Sequence, residues 1–108
     1  MGKKTDSLIT KTMDAMDELA SFNQRVGDLA DEYRETLDDI DDDTQRENIA
    51  KLAGKTLDRM ETKRDGIART ASKALEDLKK HVRGKNRAGR ESTFDFIDQT
   101  EGLLAAFA

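Results

Sequence analysis

The chain has 108 residues, of which 39% are charged and 35% apolar, with a formal net charge of −4 and no cysteine. At this length we expect one domain at most, and the lack of cysteine excludes disulfides, thiol catalysis and thiolate metal sites. Proline and tryptophan are absent, and the abundance of Ala, Leu, Lys, Arg, Asp and Glu is typical of long helices. We therefore predict a single all-α domain over residues 1–108.

The first predicted helix covers about residues 5–40 and has an unusually wide apolar stripe. Its apolar residues fall into three heptad columns: Leu19, Val26, Tyr33 and Ile40; Leu8, Ala15, Phe22 and Leu29; and Ile9, Met16, Ala30 and Leu37. A two-stranded coiled coil requires only two such columns. The first helix is therefore expected to contact more than one partner helix.

A charged break separates this helix from the next. Three aspartates at positions 41–43 follow the C-terminal end of the first helix, where negative charge is unfavourable. Thr44 and Glu47 then match a capping box, in which each side chain bonds the backbone N–H of the other residue. We predict a turn here, with Thr44 as the N-cap of a second helix over about residues 45–83.

The second predicted helix has a narrower stripe that is rich in alanine. Its columns are Ala50, Leu57, Arg64, Ala71 and Leu78, then Ala53, Met60, Ile67 and Ala74, with Ala68, Leu75 and Val82 beside them. Alanine buries little surface, so this helix cannot cover the first helix alone. The sequence predicts an antiparallel two-helix hairpin, similar to a coiled coil. A third helix, a second subunit or both must complete its core, and we expect a bundle completed by dimerisation.

A basic linker with two glycines follows at residues 84–90. Ser92, with Asp95 three residues later, is a candidate N-cap for a short amphipathic helix over about residues 92–107. The apolar residues of this helix are the candidate partner-binding surface, and they could instead complete the core: Phe94, Phe96, Ile97, Leu103, Leu104 and Phe107.

Charge is distributed unevenly along the chain. Residues 1–43 carry a net charge of −8 and residues 44–83 a net charge of +5. The acidic patch at the turn consists of Glu35, Asp38, Asp39, Asp41, Asp42 and Asp43. The basic patch around the linker consists of Lys79, Lys80, Arg83, Lys85, Arg87 and Arg90. A helix of about 38 residues is roughly 57 Å long, well beyond a Debye length, so we expect these patches to pair across an antiparallel homodimer.

The basic patch also raises the alternative of a nucleic-acid-binding accessory protein. Six cations between Asp77 and Glu91, with no acid among them, could contact phosphates. The isoelectric point near 5.0 and the lack of interleaved aromatic residues count against this function. Solvation or charge pairing is the more common role of such a run.

His81, the only histidine, raises a weaker alternative. A histidine in a small helical bundle allows comparison with histidine phosphotransfer domains, which carry a His-x-x-Lys-Gly pattern in the middle of a helix. Here Gly84 follows His81 one residue too early, and His81 lies at a helix end. A histidine that interacts with the helix dipole is the simpler interpretation.

No nucleophile–base pair or metal-ligand cluster is visible in the sequence, so we expect neither enzymatic activity nor a cofactor. The leading hypothesis is a non-enzymatic protein-interaction module, such as an adaptor, chaperone or assembly factor. It would act through helical association and through its C-terminal helix, in the helix-in-groove manner. We expect a protein partner, a homodimer, no membrane span and a cytoplasmic location, with leaderless export left open.

Overall fold

The computed structural model describes residues 2–107. These residues form three α-helices and no strand: α1 (Lys3–Asp38), α2 (Asp43–Val82) and α3 (Glu91–Ala106). The all-α class is confirmed, and each helix end lies within two residues of its predicted position. Over the described range, no helix combines the length and the apolar character that crossing a membrane requires.

Contacts between residues divide the chain into two compact units. One unit combines Met1–Leu19 with Ile67–Ala108, and the other consists of Ala20–Gly66. In each unit a segment of α1 packs against a segment of α2. The first unit joins the N-terminal part of α1 to the C-terminal part of α2, and α3 belongs to the same unit. Pairing of the two long helices is therefore confirmed.

The unit formed by residues 20–66 has a thin apolar core that polar contacts supplement. Phe22, Val26 and Ala53 are its buried apolar residues. The Phe22 ring lies within 5.5 Å of the Lys63 ammonium, close enough for a cation–π contact. Arg64, which interrupts the predicted apolar column of α2, donates a hydrogen bond from Nη1 to the Asn23 side-chain oxygen at 3.0 Å. Arg64 therefore bridges α1 and α2 at the position where it interrupts the apolar column.

In the other unit, α3 closes the core. Leu75, Leu78 and Val82 of α2 form a buried cluster with Ile97 of α3. Residues from α1 and α3 pack around this cluster while remaining partly exposed: Leu8, Ile9, Phe94, Phe96 and Leu104. The short third helix therefore supplies part of the core that the two long helices could not complete.

Threonines occupy core positions that the apolar pattern did not predict. The buried polar side chains of the described chain are Thr5, Thr12, Thr93 and Thr100. Thr12 donates its hydroxyl to the carbonyl four residues earlier at 2.8 Å, and Thr100 does the same at 2.7 Å. Such a hydroxyl needs no partner from another helix, so these threonines can be buried without leaving a polar group unsatisfied.

The N-cap of α2 is Asp42, so the prediction of Thr44 was wrong. One carboxylate oxygen of Asp42 accepts the backbone N–H of Thr44 at 2.9 Å and that of Gln45 at 3.4 Å. The helix begins at Asp43, which places Thr44 inside the first turn. With three consecutive aspartates before it, the helix gains its cap two residues earlier than the capping-box pattern indicated.

Arg46 secures the other side of the same turn. Its side chain donates hydrogen bonds to the backbone carbonyl of Leu37, at 3.3 Å, and to that of Ile40. It also forms a 3.5 Å ion pair with Asp43. The last carbonyls of a helix have no partner within the helix, so Arg46, from the first turn of α2, caps the end of α1.

Two glycines shape the linker between α2 and α3. Gly84 has φ +76° and Gly89 has φ +80°, both in the left-handed region that favours glycine.

The N-cap position of α3 is Arg90, whose side chain forms no capping bond. The prediction of Ser92 as N-cap was wrong, because α3 begins at Glu91 and Ser92 lies in its first turn. Hydrogen bonds from the backbone N–H groups of Glu91 and Gly89 lower the pKa of the Glu91 carboxyl.

Candidate interaction site at the C-terminal helix

A cleft of about 320 Å³ lies where the end of α2, the linker and α3 meet. Its apolar lining comes from Val82, Phe94 and Ile97. Its charged lining consists of four cations and two acids: Lys79, Arg83, Lys85, Arg87, Asp98 and Glu101. We refer to this feature as the basic cleft.

Two of the cleft cations are paired with acids of α3. The Lys79 ammonium lies 2.6 Å from a Glu101 carboxylate oxygen, and Arg87 lies 3.1 Å from Asp98. The hydrogen bond to Glu101, with the nearby negative charge, raises the pKa of Lys79. Sequence reasoning missed these two acids, although their spacing of three residues places them on one face of a helix.

The other members of the predicted basic patch have different surroundings. Among the described residues, the side chains of Arg83 and Lys85 form no ion pair, although both line the cleft. Lys80 lies instead in a second cleft beside His81. Arg90 donates a hydrogen bond to the Asn86 carbonyl at 2.8 Å. The structure therefore brings four of the six predicted cations into one cleft and leaves two of them unpaired there.

The basic cleft offers little surface on which a nucleic-acid base could stack. Phe94 is the one aromatic residue among the side chains that line it. The Arg87 guanidinium lies 4.9 Å from the centre of the Phe94 ring, so it occupies a surface on which a base could stack. Asp98 and Glu101 neutralise two of the four cations, which leaves the lining with a net charge of +2.

The apolar residues of α3 divide between the core and the surface. Ile97 is only 5% exposed and belongs to the core, whereas Leu103 is 57% exposed. Phe96, Leu103 and Phe107 follow one another at spacings of seven and four residues, so they lie on one side of the helix. We name these three residues the apolar edge; Phe96 and Phe107 are half-buried. A partner could reach Leu103 without displacing Ile97.

The acidic patch is exposed at all six positions. Among the described residues its one ion pair joins Asp43 to Arg46, and Asp42 is engaged as the N-cap of α2. Leu37 and Ile40, which lie between the acids, are half-buried. The segment therefore combines unpaired carboxylates with two apolar side chains.

His81 joins α2 to α1. Its Nε2 atom lies 2.9 Å from the Thr5 hydroxyl, and the ring is half-buried. Burial, followed by the positive charges of Lys85 and Lys4, lowers the pKa of His81. Asp77 and Lys80 line the second cleft beside the ring. Because the ring is engaged in packing two helices together, its geometry favours a structural role over phosphotransfer.

Within residues 2–107 no group of three or more His, Cys, Asp or Glu side chains is arranged to hold a metal ion. Comparison of the chain with protein-family models, with curated proteins and with solved structures finds no match.

Proposed function

We propose that this protein is a non-enzymatic interaction module, of the adaptor, chaperone or assembly-factor kind, that binds a protein partner through the apolar edge of α3. The observation that carries this proposal is the 57% exposure of Leu103 on a helix whose neighbouring face is anchored in the core. A partner helix or groove could pack on Leu103 while α3 remains docked.

We further propose that the module is a homodimer. The wide apolar stripe of α1 supports this proposal, because many of its members are only half-buried: Leu8, Ile9, Met16, Leu29, Ala30, Tyr33, Leu37 and Ile40. The small side chain of Ala53 is the one buried apolar residue that α2 contributes to the unit of residues 20–66. A second copy would remove the remaining apolar surface of α1 from water.

A point variant tests the partner-binding proposal better than deletion of α3, because deletion would uncover Leu75, Leu78 and Val82. Leu103→Asp places a charge on the apolar edge, and Leu52→Asp is the matched control, since Leu52 is 65% exposed on α2. Tagged wild type and both variants would be used for quantitative capture from the native host. We expect a protein that wild type and Leu52→Asp enrich equally, and that Leu103→Asp enriches roughly tenfold less. Equal enrichment by all three chains would refute a role for the apolar edge.

The nucleic-acid alternative has a separate test. We expect no binding of duplex or single-stranded oligonucleotides by fluorescence anisotropy at low salt. The alternative would be supported by binding that weakens steeply with salt, provided that Arg83→Gln with Lys85→Gln reduces the slope of that dependence.

A further inference from the structure

We infer that the basic cleft is the docking site for a second copy of this chain, and that the occupant is the acidic turn, residues 35–43, of that copy. This inference deepens the proposed homodimer and rests on it. It assigns the contact to particular side chains: Arg83 and Lys85 on one copy and the exposed carboxylates of the acidic turn on the other.

The cleft has an excess of positive charge beside an apolar surface. Asp98 and Glu101 already compensate Arg87 and Lys79, which leaves Arg83 and Lys85 unpaired among the described residues. Val82 and Phe94 line the same cleft. A ligand that matches it must therefore supply at least two carboxylates and an apolar group next to them.

The acidic turn supplies both. It carries six acids and no base, and four of the acids form no ion pair and no cap: Glu35, Asp38, Asp39 and Asp41. Leu37 and Ile40 lie between them and are half-buried. These two apolar side chains could pack on the apolar lining of the cleft while the carboxylates face the unpaired cations.

A second copy fits the cleft better than a nucleic acid. A nucleic acid has no aliphatic side chain to match the apolar lining, and Arg87 already covers the Phe94 ring on which a base could stack. Each copy carries one cleft and one acidic turn, so two copies related by a two-fold axis can form the same contact twice.

The inference can be tested by reversing the charges of the cleft, of the acidic turn, or of both. The cleft-reversed variant combines Arg83→Glu with Lys85→Glu, which changes the charge of the lining from +2 to −2. The turn-reversed variant changes the charge of residues 35–43 from −6 to +2; it combines Glu35→Lys, Asp38→Lys, Asp39→Lys and Asp41→Lys. All six side chains are exposed, and Asp42 and Asp43 are left intact because they cap and pair at the start of α2. A third chain carries all six substitutions.

Sedimentation equilibrium at low and high salt would measure the dimer dissociation constant of each chain. We expect each reversal alone to weaken the dimer roughly tenfold or more, because attraction becomes repulsion at both symmetric contacts. The chain with all six substitutions should recover wild-type dimerisation to within a few-fold. An equimolar mixture of the two reversed variants should recover dimerisation as well, as a heterodimer. In that heterodimer the reversed turn meets the reversed cleft, and the unchanged turn meets the unchanged cleft. This recovery also shows that both variants fold.

Three results would overturn the inference, and they separate its failure from that of the proposed function. A wild-type chain that is monomeric over the micromolar range removes both the docking contact and the homodimer, and leaves partner binding by the apolar edge standing. A dimer that neither reversal weakens removes only the docking contact. Weakening without recovery, in the chain with all six substitutions or in the mixture, means that the cleft and the acidic turn do not face each other.

Discussion

The packing of α3 can be tested by two substitutions on the same helix. Ile97→Ala truncates a side chain that is buried against α2, and Leu103→Ala truncates one that is largely exposed. Both replace a four-carbon side chain by a methyl group, and alanine is a good helix former in either position. A difference between the two variants therefore reports on burial.

The size of the effect follows from the environment of each side chain. Ile97 loses three buried carbon atoms, worth about 2–3 kcal/mol in transfer free energy at ~0.8 kcal/mol per group. The cavity left behind adds to this cost, although the open cleft beside Ile97 allows some collapse. We expect Ile97→Ala to lower the free energy of unfolding by about 3 kcal/mol. Leu103→Ala should change it by less than about 1 kcal/mol, because most of the Leu103 side chain is already in water.

Urea unfolding, followed by circular dichroism at 222 nm, would measure both values at one fixed protein concentration. Hydrogen exchange would then show where Ile97→Ala acts. Amides of α3 and of the segment of α2 that contains Leu75, Leu78 and Val82 should lose protection, because α3 covers that segment. Equal destabilisation by the two variants, or a change below about 1 kcal/mol for Ile97→Ala, would contradict the described packing.

Further predictions concern the helix junctions. Thr5→Val should lower the melting temperature more than Thr12→Val, since Thr5 bonds His81 of another helix whereas Thr12 bonds a carbonyl of its own helix; equal shifts in thermal unfolding would refute this. Arg46→Ala should cost about 1 kcal/mol in urea unfolding by uncapping α1, whereas Arg59→Ala, an exposed control on the same helix, should cost a few tenths at most. Because the pKa of His81 is lowered in the folded chain, the unfolded chain binds a proton at His81 more readily than the folded chain does. The contribution of His81 to stability is therefore fully present above pH ~6.5 and falls as the pH drops below that value. His81→Asn should flatten the dependence of the melting temperature on pH between 7.5 and 5.5, and an unchanged slope would argue against the described environment of the ring.

The three helices could be predicted because periodicity, composition and helix breakers agree over long segments. The caps could not, for physical reasons that are visible in the structure. Asp42, Asp43 and Thr44 are all capable N-caps, and only the path of the chain through the turn selects Asp42. Arg46, whose side chain reaches back to α1, is a long-range cap that no local pattern indicates.

Part of the core and part of the candidate site also could not be predicted from the sequence. An apolar pattern counts threonine as polar, yet Thr12 and Thr100 satisfy their hydroxyls within their own helices and are buried. The basic patch is visible in the sequence, but the pairing of Lys79 and Arg87 with Glu101 and Asp98 depends on how α3 docks. Docking also separates Ile97 from Leu103, which apolar character alone could not distinguish.

The backbone is left-handed at the two linker glycines, and this conformation decides which residues can replace them. A Cβ atom built on Gly84 or on Gly89 meets no other atom within 4 Å, so neither position is restricted by space. What excludes most other residues is the positive φ, which L-amino acids other than asparagine and aspartate adopt at a cost of about 1–2 kcal/mol. Tolerance to replacement at these positions should therefore follow stereochemistry and be indifferent to volume. Asparagine should be accepted before alanine, alanine before the β-branched valine, and a D-residue before any of them.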